Sequence, residues 1–224
     1  FTVAQIFGQL EEYGVSTVAK LNDMASTHDY NFSFLKEIPL GSPDRLEGYL
    51  FPDTYEFYLG EDPKTAINKM LVNFDRRFDD EMRAAAQEKG YSVRDIVIIA
   101  SMIEKETASA KESSTIASVI YNRLCDPANY PYLNVDATIV YALGGIDGAL
   151  TYEDTQIDSP YNTYNRTGLP AGPISNPGLS SISAALNPAD TSYYYYALDD
   201  STGLHHFSES YDEHQAFLAG QNDA

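Results

Sequence analysis

The sequence predicts an α+β fold, in which a mainly helical domain carries a small β-sheet and one long ordered loop. Apolar residues recur at helical spacing through most of residues 2–143. A tyrosine run at 193–196 and the segment 205–208 flank a turn-forming stretch, which predicts a two-stranded hairpin. We expect residues 1–45 to be a small, partial N-terminal accessory subdomain and residues 46–224 to be the main domain.

The first ninety residues are predicted to contain three helices. Residues 2–24 show two short amphipathic stretches separated by a glycine stop signal. Residues 46–57 are rich in aromatic side chains but are interrupted by glycine and proline, so we expect a strand or an extended turn there. Residues 62–90 carry apolar side chains at every fourth position, which predicts one long helix.

The segment 92–107 is predicted to be a buried helix that ends in two carboxylates. Ser92 and Asp95 have the spacing of a capping box, and the middle of the segment is apolar on every side. Glu104 and Glu106 lie about 200° apart around the helix axis, so they point in roughly opposite directions. Glu106 continues a row of isoleucines and is therefore the better candidate to lean over an apolar cleft. Taken alone, both would be ordinary solvated charges.

The rest of the chain is predicted to contain four further helices and the hairpin. The helices cover residues 112–124, 137–143, 180–186 and 209–219. Asp136 precedes the second of them and is a good N-cap residue.

The composition excludes some classes of partner. The net charge is −19, and no Lys or Arg follows Arg166. A chain of this charge has no basic surface for phosphate backbones, so we expect no nucleic-acid partner. A neutral glycan is compatible with it, and the 18 tyrosines supply both stacking faces and hydroxyl groups.

The single cysteine, Cys125, excludes an internal disulfide and is predicted to be structural. No apolar run approaches the roughly 20 residues that a membrane span requires. Because the chain opens at Phe1 inside an amphipathic pattern and without an initiator methionine, we expect it to be a fragment whose natural N-terminus lies upstream, where an anchor could have been.

The segment 159–178 is predicted to be an ordered loop that lines a site. It has four prolines and three glycines and no helical or strand period. Tyr161, Asn162, Tyr164 and Asn176 offer hydroxyls, amides and stacking faces, which are the groups that hold a sugar. The alternative is a turn-rich wall that packs and binds nothing.

Neither a metal nor a cofactor is predicted. His205 and His206 are adjacent on a strand and would face opposite ways, and no cysteine joins them and His214.

Six segments resemble, in order and spacing, those of the YceG-like endolytic murein transglycosylases. They are residues 46–57, 100–107, 116–124, 136–144, 161–178 and 206–214. The chain lacks the family's N-terminal membrane helix and most of its small LysM-like region. It also reads Leu-Asn-Val-Asp-Ala at 133–137, where the family usually reads Leu-Gln-Ser-Asp-Pro. This shortens one polar side chain, so a direct role for Asn134 in a sugar site is not expected.

The resemblance implies a function for residues 46–224 as a transglycosylase catalytic domain. That function is cleavage of the β-1,4 bond between N-acetylmuramic acid (MurNAc) and N-acetylglucosamine (GlcNAc) within peptidoglycan, leaving a 1,6-anhydroMurNAc end. It also implies a location on the extracytoplasmic face of the bacterial cell membrane, with an N-terminal anchor. Cell-wall synthesis proteins are compatible as partners.

The position of the family's catalytic glutamate corresponds to Glu106. As the only acid and base, it would protonate the leaving oxygen and then accept a proton from the attacking C6 hydroxyl of MurNAc. Its pKa would have to be raised, and burial would raise it. Glu104, Asn122 and Asp136, together with the four loop residues named above, are the candidate substrate contacts. Asp136 could equally serve only as a helix cap.

Two other functions are compatible with the same sequence. A hydrolytic muramidase would add a second carboxylate to Glu106, either Asp136 or Glu47. A non-catalytic cell-wall glycan-binding module would bind without cleavage.

Overall fold

The computed structural model describes residues 1–42, 44–107 and 109–222. Pro43, Ala108 and residues 223–224, which belong to the predicted domains, lie outside the described residues. The helices and strands are α1 (Val3–Glu12), α2 (Val18–Thr27), α3 (Pro63–Arg77), α4 (Asp80–Glu88), α5 (Val93–Glu106), α6 (Ser113–Cys125), α7 (Asp136–Ala142), α8 (Leu179–Leu186), β1 (Tyr195–Asp199), β2 (Leu204–Ser208) and α9 (Tyr211–Asn222). The predicted α+β class is confirmed. Within the described ranges, no helix combines the length and apolar character that crossing a bilayer requires.

Helix α5 lies at the centre of the fold. Its predicted capping box is confirmed, because the Ser92 hydroxyl accepts from the Asp95 amide and the Asp95 carboxylate accepts from the Ser92 amide. Every residue from 96 to 103 is buried, and α4, α6, α7 and α8 all pack against the helix. Burying one large aliphatic side chain contributes about 1.5–3 kcal/mol, so the helix is fixed firmly in the core.

The prediction of one long helix over residues 62–90 is wrong, because the segment forms the separate helices α3 and α4. Phe78 leaves the helical conformation (φ −89°, ψ 77°) while its side chain stays fully buried. The Asp79 carboxylate then accepts from the Met82 amide at 2.9 Å and begins a new helix. The apolar repeat continues through the break because the Phe78 ring remains in the core.

The C-terminal hairpin follows its prediction closely. Strands β1 and β2 pair antiparallel, with Tyr196 opposite Phe207, and α9 packs against both strands. Residues 46–57 form turns and extended backbone, which is the extended turn rather than the strand among the two predicted alternatives.

The long loop 159–178 is tied directly to α5. The Ile174 amide donates to the Ser101 hydroxyl at 3.0 Å, and Arg94 donates to the Ala171 carbonyl at 2.7 Å. Its path is therefore set by one buried and one exposed hydrogen bond, and the buried Ser101 hydroxyl gains the partner that a buried polar group needs.

The N-terminal helices share their core with α5. Phe7 and Leu21 are fully buried in the same hydrophobic cluster as the α5 isoleucines. The division of the chain at residue 45 into two domains stays a prediction.

Glu47 fastens α1 to this core. Its two carboxylate oxygens accept from the Val3 amide at 3.1 Å each, and it also accepts from Asn176 at 2.8 Å and the Tyr141 hydroxyl at 3.3 Å. Burial raises the pKa of Glu47 to about 7, although the Val3 and Tyr141 hydrogen bonds act to lower it. The side chain is 3% exposed, so its role here is to hold the N-terminal segment in place.

Substituting Glu47→Ala should lower the free energy of unfolding by about 3 kcal/mol, because one buried and two partly buried donors lose their acceptor. Denaturant titration measures the change. Glu37→Ala, at an exposed position, is the control and should change stability by less than about 0.5 kcal/mol. Equal effects of the two substitutions would contradict this role for Glu47.

Candidate active site

Glu106, the last residue of α5, opens into a cavity of about 450 Å³. This volume suits a small-molecule or sugar-sized ligand. The cavity combines two acidic residues and one arginine with aromatic and apolar walls. Its lining residues are Glu106, Asp136, Arg123, Asn134, Tyr164, Tyr194, Tyr195, Tyr196, His205, His214, Val119, Leu133, Ala197, Leu198 and Leu218.

Two groups from distant segments hold the Glu106 carboxyl. The Tyr196 hydroxyl, on β1, donates to Oε2 at 3.2 Å. The Ala137 amide, in the first turn of α7, donates to Oε1 at 3.5 Å. Burial raises the pKa of Tyr196 well above its usual range, so this hydroxyl keeps its proton and stays a donor. The carboxyl is half-buried, which leaves it accessible from the cavity.

Glu106 holds its proton more strongly than an exposed glutamate. Burial raises the pKa of Glu106, and the neighbouring Asp136 charge raises it further. The hydrogen bonds from Ala137 and Tyr196 favour the ionised form and oppose this rise. The carboxyl therefore keeps its proton to a higher pH than an exposed glutamate does, which suits a proton donor.

Asp136 lies in the same cavity and accepts a hydrogen bond from the Tyr164 hydroxyl. The prediction that Asp136 caps the following helix is wrong, because α7 begins at Asp136 itself, and Val135 is the cap residue without a side-chain bond. The carboxylate turns towards Tyr164 instead. Asp136 and Tyr164, both predicted substrate contacts, are thereby placed next to Glu106.

Glu104 is exposed and takes no part in lining this cavity. Its Oε2 accepts from the Ser181 hydroxyl at 2.5 Å and the Gly178 amide at 3.1 Å. Both donors belong to the start of α8, so the carboxylate caps that helix. The two glutamates thus serve different parts of the structure.

The amides of Asn122 and Asn162 are used within the protein. Asn122 donates to the Thr191 carbonyl at 2.9 Å and the Tyr193 carbonyl at 2.8 Å. Asn162 is 1% exposed and donates to the Ile157 carbonyl at 2.8 Å, among other bonds. Neither residue lines the Glu106 cavity.

Asn176 and Tyr161 also lie away from Glu106. Asn176 is buried, accepts from the Leu50 amide at 2.8 Å and donates to Glu47 at 2.8 Å. The Tyr161 hydroxyl donates to Asp44 at 3.2 Å, and its ring lines a second cavity of about 790 Å³. That cavity is also lined by Glu47, which is therefore not a neighbour of Glu106.

Several cavity residues were not assigned a role in the site from the sequence. Tyr195 and Tyr196 belong to the tyrosine run, which was interpreted only as strand-forming. Arg123 lies within the Tyr-Asn-Arg-Leu motif. This motif contributes to the family resemblance, but it does not indicate a role for Arg123. The His205 amide donates to Glu112 at 2.6 Å, which fixes this histidine in the cavity wall.

The fold matches a solved structure over almost its whole length. A crystal structure of a yceG-like protein from Listeria monocytogenes superposes with a TM-score of 0.84 at 34% identity, covering 96% of this chain and 73% of that one. The arrangement of helices and hairpin around Glu106 is thus that of the YceG-like class of proteins.

The YceG-like family model matches residues 1–219, and the chain belongs to this family. It is 38% identical to the endolytic murein transglycosylase of Bacillus subtilis (strain 168), over 80% of this chain and 49% of that protein. It is 30% identical to the endolytic murein transglycosylase of Streptococcus pneumoniae (strain D39), over 97% of this chain and 42% of that protein. The chain thus spans less than half the length of these curated relatives.

Asp136→Asn should lower the pKa of Glu106, because it removes a like charge from the cavity. Carbon NMR titration of the Glu106 carboxyl measures the change. Asp158→Asn, at an exposed surface ion pair, is the control and should leave the titration unchanged. An unaltered or raised pKa in Asp136→Asn would show that the two carboxyls do not interact.

Tyr196→Phe should have the opposite effect and raise the pKa of Glu106, because the ionised form loses a hydrogen bond. The same titration reports it. Tyr195→Phe, which alters the neighbouring ring without touching Glu106, is the matched control. A fall in the pKa after Tyr196→Phe would be incompatible with the bond described here.

Proposed function

We propose that this protein cleaves peptidoglycan glycan strands as an endolytic lytic transglycosylase, with Glu106 as its only acid and base. The bond cut is the MurNAc-β-1,4-GlcNAc bond, and the product carries a 1,6-anhydroMurNAc end. The observation that carries the proposal is the Glu106 carboxyl itself, half-buried in a tyrosine-lined cavity with a raised pKa. The names of the curated relatives support the same substrate class.

In the proposed reaction, Glu106 first donates one proton and later accepts another. Glu106 donates its proton to the glycosidic oxygen as the bond from C1 of MurNAc breaks. The C6 hydroxyl of the same sugar attacks C1, and the Glu106 carboxylate accepts the hydroxyl proton. The enzyme ends in its starting protonation state, and no water is consumed.

The cavity offers suitable groups for the sugar rings. Tyr194 and Tyr195 present aromatic faces, and the Tyr164 hydroxyl and Asp136 carboxylate supply polar contacts close to Glu106. In this proposal Asn122 and Asn162 support the walls of the site through their bonds to the backbone, whereas Glu104 and Asn176 hold parts of the fold away from the cavity. The predicted direct substrate contacts are therefore Asp136 and Tyr164.

A hydrolytic muramidase is the second candidate, and the presence of Asp136 in the cavity is what favours it. Hydrolysis needs a second carboxylate that activates water or forms a covalent sugar. Glu47 is a poor choice for that carboxylate, because it is buried among its own donors next to a different cavity. A non-catalytic glycan-binding module is the third candidate and predicts binding that Glu106→Gln leaves unchanged, without cleavage.

Peptidoglycan lies outside the cytoplasmic membrane, so we propose the extracytoplasmic face of the membrane as the place of action. The N-terminal anchor and the partners among cell-wall synthesis proteins that the resemblance implies stay predictions. Fractionation of cells that express the complete gene product would test the anchor.

Glu106→Gln should reduce the release of anhydro-ended fragments from purified peptidoglycan by a factor of about 10²–10⁴, the usual contribution of general acid–base catalysis. Glu104→Gln is the matched control, two residues away on the same helix, and should keep activity within a few-fold. Chromatography with mass spectrometry quantifies the fragments. Wild-type rates in Glu106→Gln would show that the assignment to Glu106 is wrong, and a larger loss in Glu104→Gln would move it to Glu104.

Asp136→Asn should keep at least about a tenth of the activity and shift the basic limb of the pH–rate profile to lower pH. The direction follows because the protonated form of Glu106 is the active one and its pKa falls in this variant. A loss of about 10³-fold or more at every pH would instead identify Asp136 as a second catalytic carboxylate and favour hydrolysis.

A further inference from the structure

Arg123 is a cation in the Glu106 cavity without a carboxylate partner among the described residues. It projects from α6 and is half-buried. In a chain with a net charge of −19, acidic residues are abundant, yet none pairs with it. An arginine placed in this way is suited to an oxygen-rich or anionic group of a ligand.

The guanidinium is fixed before any ligand arrives. Its Nε donates to the Tyr194 carbonyl at 2.7 Å, and its Nη1 donates to the Tyr132 carbonyl and to Asn134 Oδ1, both at 3.0 Å. Its central carbon lies 5.0 Å from the centroid of the Tyr195 ring. Asn134 therefore helps to orient Arg123.

One nitrogen of the guanidinium is left for a ligand. All side-chain bonds of Arg123 to the described residues leave from Nε or Nη1, and none leaves from Nη2. A rigid donor of this kind binds with little loss of side-chain entropy, because that entropy was lost when the protein folded.

An enzyme that cleaves the proposed substrate must distinguish between two alternating glycosidic bonds, and such a donor can make that distinction. Peptidoglycan strands alternate GlcNAc and MurNAc, so every second β-1,4 bond is the one to be cut. The two sugars differ by the lactyl ether on C3 of MurNAc. Its carbonyl oxygen accepts hydrogen bonds, both as a free carboxylate and as the amide that carries a stem peptide.

We propose that Arg123 binds the lactyl carbonyl group of the MurNAc unit whose C1 faces Glu106, and so determines which of the two alternating bonds is cleaved. The inference rests on the proposed function and adds a specificity-determining residue to it. The charges in the cavity fit this orientation, because Asp136 would repel a lactyl carboxylate while Arg123 attracts it.

Binding measurements on a Glu106→Gln background separate recognition from cleavage. The chain is titrated calorimetrically with a GlcNAc–MurNAc tetrasaccharide, with the same tetrasaccharide reduced to lactyl alcohols, and with chitotetraose. The unreduced ligand should bind at least about tenfold more tightly than the other two, as expected for hydrogen bonds to a charged group. Equal binding of all three would overturn the proposal, without reference to any Arg123 variant.

Arg123→Gln in the same background should remove this preference. Affinity for the muramyl tetrasaccharide should fall at least about tenfold, while affinity for chitotetraose should change less than about twofold. Arg166→Gln, which removes the same charge at an exposed ion pair, is the control and should preserve the preference. A matching loss for both ligands in Arg123→Gln would assign the residue a purely structural role and contradict the proposal.

A peptide-bearing tetrasaccharide distinguishes the two forms of the lactyl group. If the free carboxylate is the preferred form, the effect of Arg123→Gln will be larger for the peptide-free ligand; if the carbonyl alone suffices, the effects will be equal. Either result supports recognition of the lactyl group. Failure of every glycan to bind would instead overturn the proposed function, and this inference with it.

Discussion

The catalytic proposal depends on how one carboxyl is held at the end of a buried helix. Residues 96–103 of helix α5 are buried, so Glu106 at the end of the same helix is held close to one position in the cavity wall. The Ala137 amide and the Tyr196 hydroxyl then fix the two oxygens. The other walls of the cavity are arranged around this point.

The environment of Glu106 balances opposing effects on its proton. Burial and the Asp136 charge favour the protonated acid, whereas the two hydrogen bonds favour the carboxylate. A group that must first donate a proton and then accept one benefits from such a balance, because neither state is held too strongly. Such a balance suits the proposed reaction, in which one glutamate is both acid and base and a hydroxyl of the substrate is the nucleophile.

Local features were predictable from the sequence where short-range physics determines them. The capping box at Ser92 and Asp95, the apolar stem of α5 and the opposite directions of Glu104 and Glu106 all follow from helix geometry. The break between α3 and α4 was missed because the buried Phe78 keeps the apolar repeat intact across it.

The composition of the cavity was harder to predict. Tyr196 lies 90 residues after Glu106 in the chain, so no local sequence pattern could predict the contact between them. Asn162 and Asn176 were expected to bind sugar because their amides can do so, yet both amides bond within the protein. The sequence does not reveal whether an amide will satisfy a ligand or the protein itself.

The most direct test of the central claim is the digestion of purified peptidoglycan in water that carries a heavy oxygen isotope. If the C6 hydroxyl attacks under the control of Glu106 alone, the muramic acid ends will contain no label. Label on every new muramic acid end would mean that water is the nucleophile and would contradict the single-glutamate account.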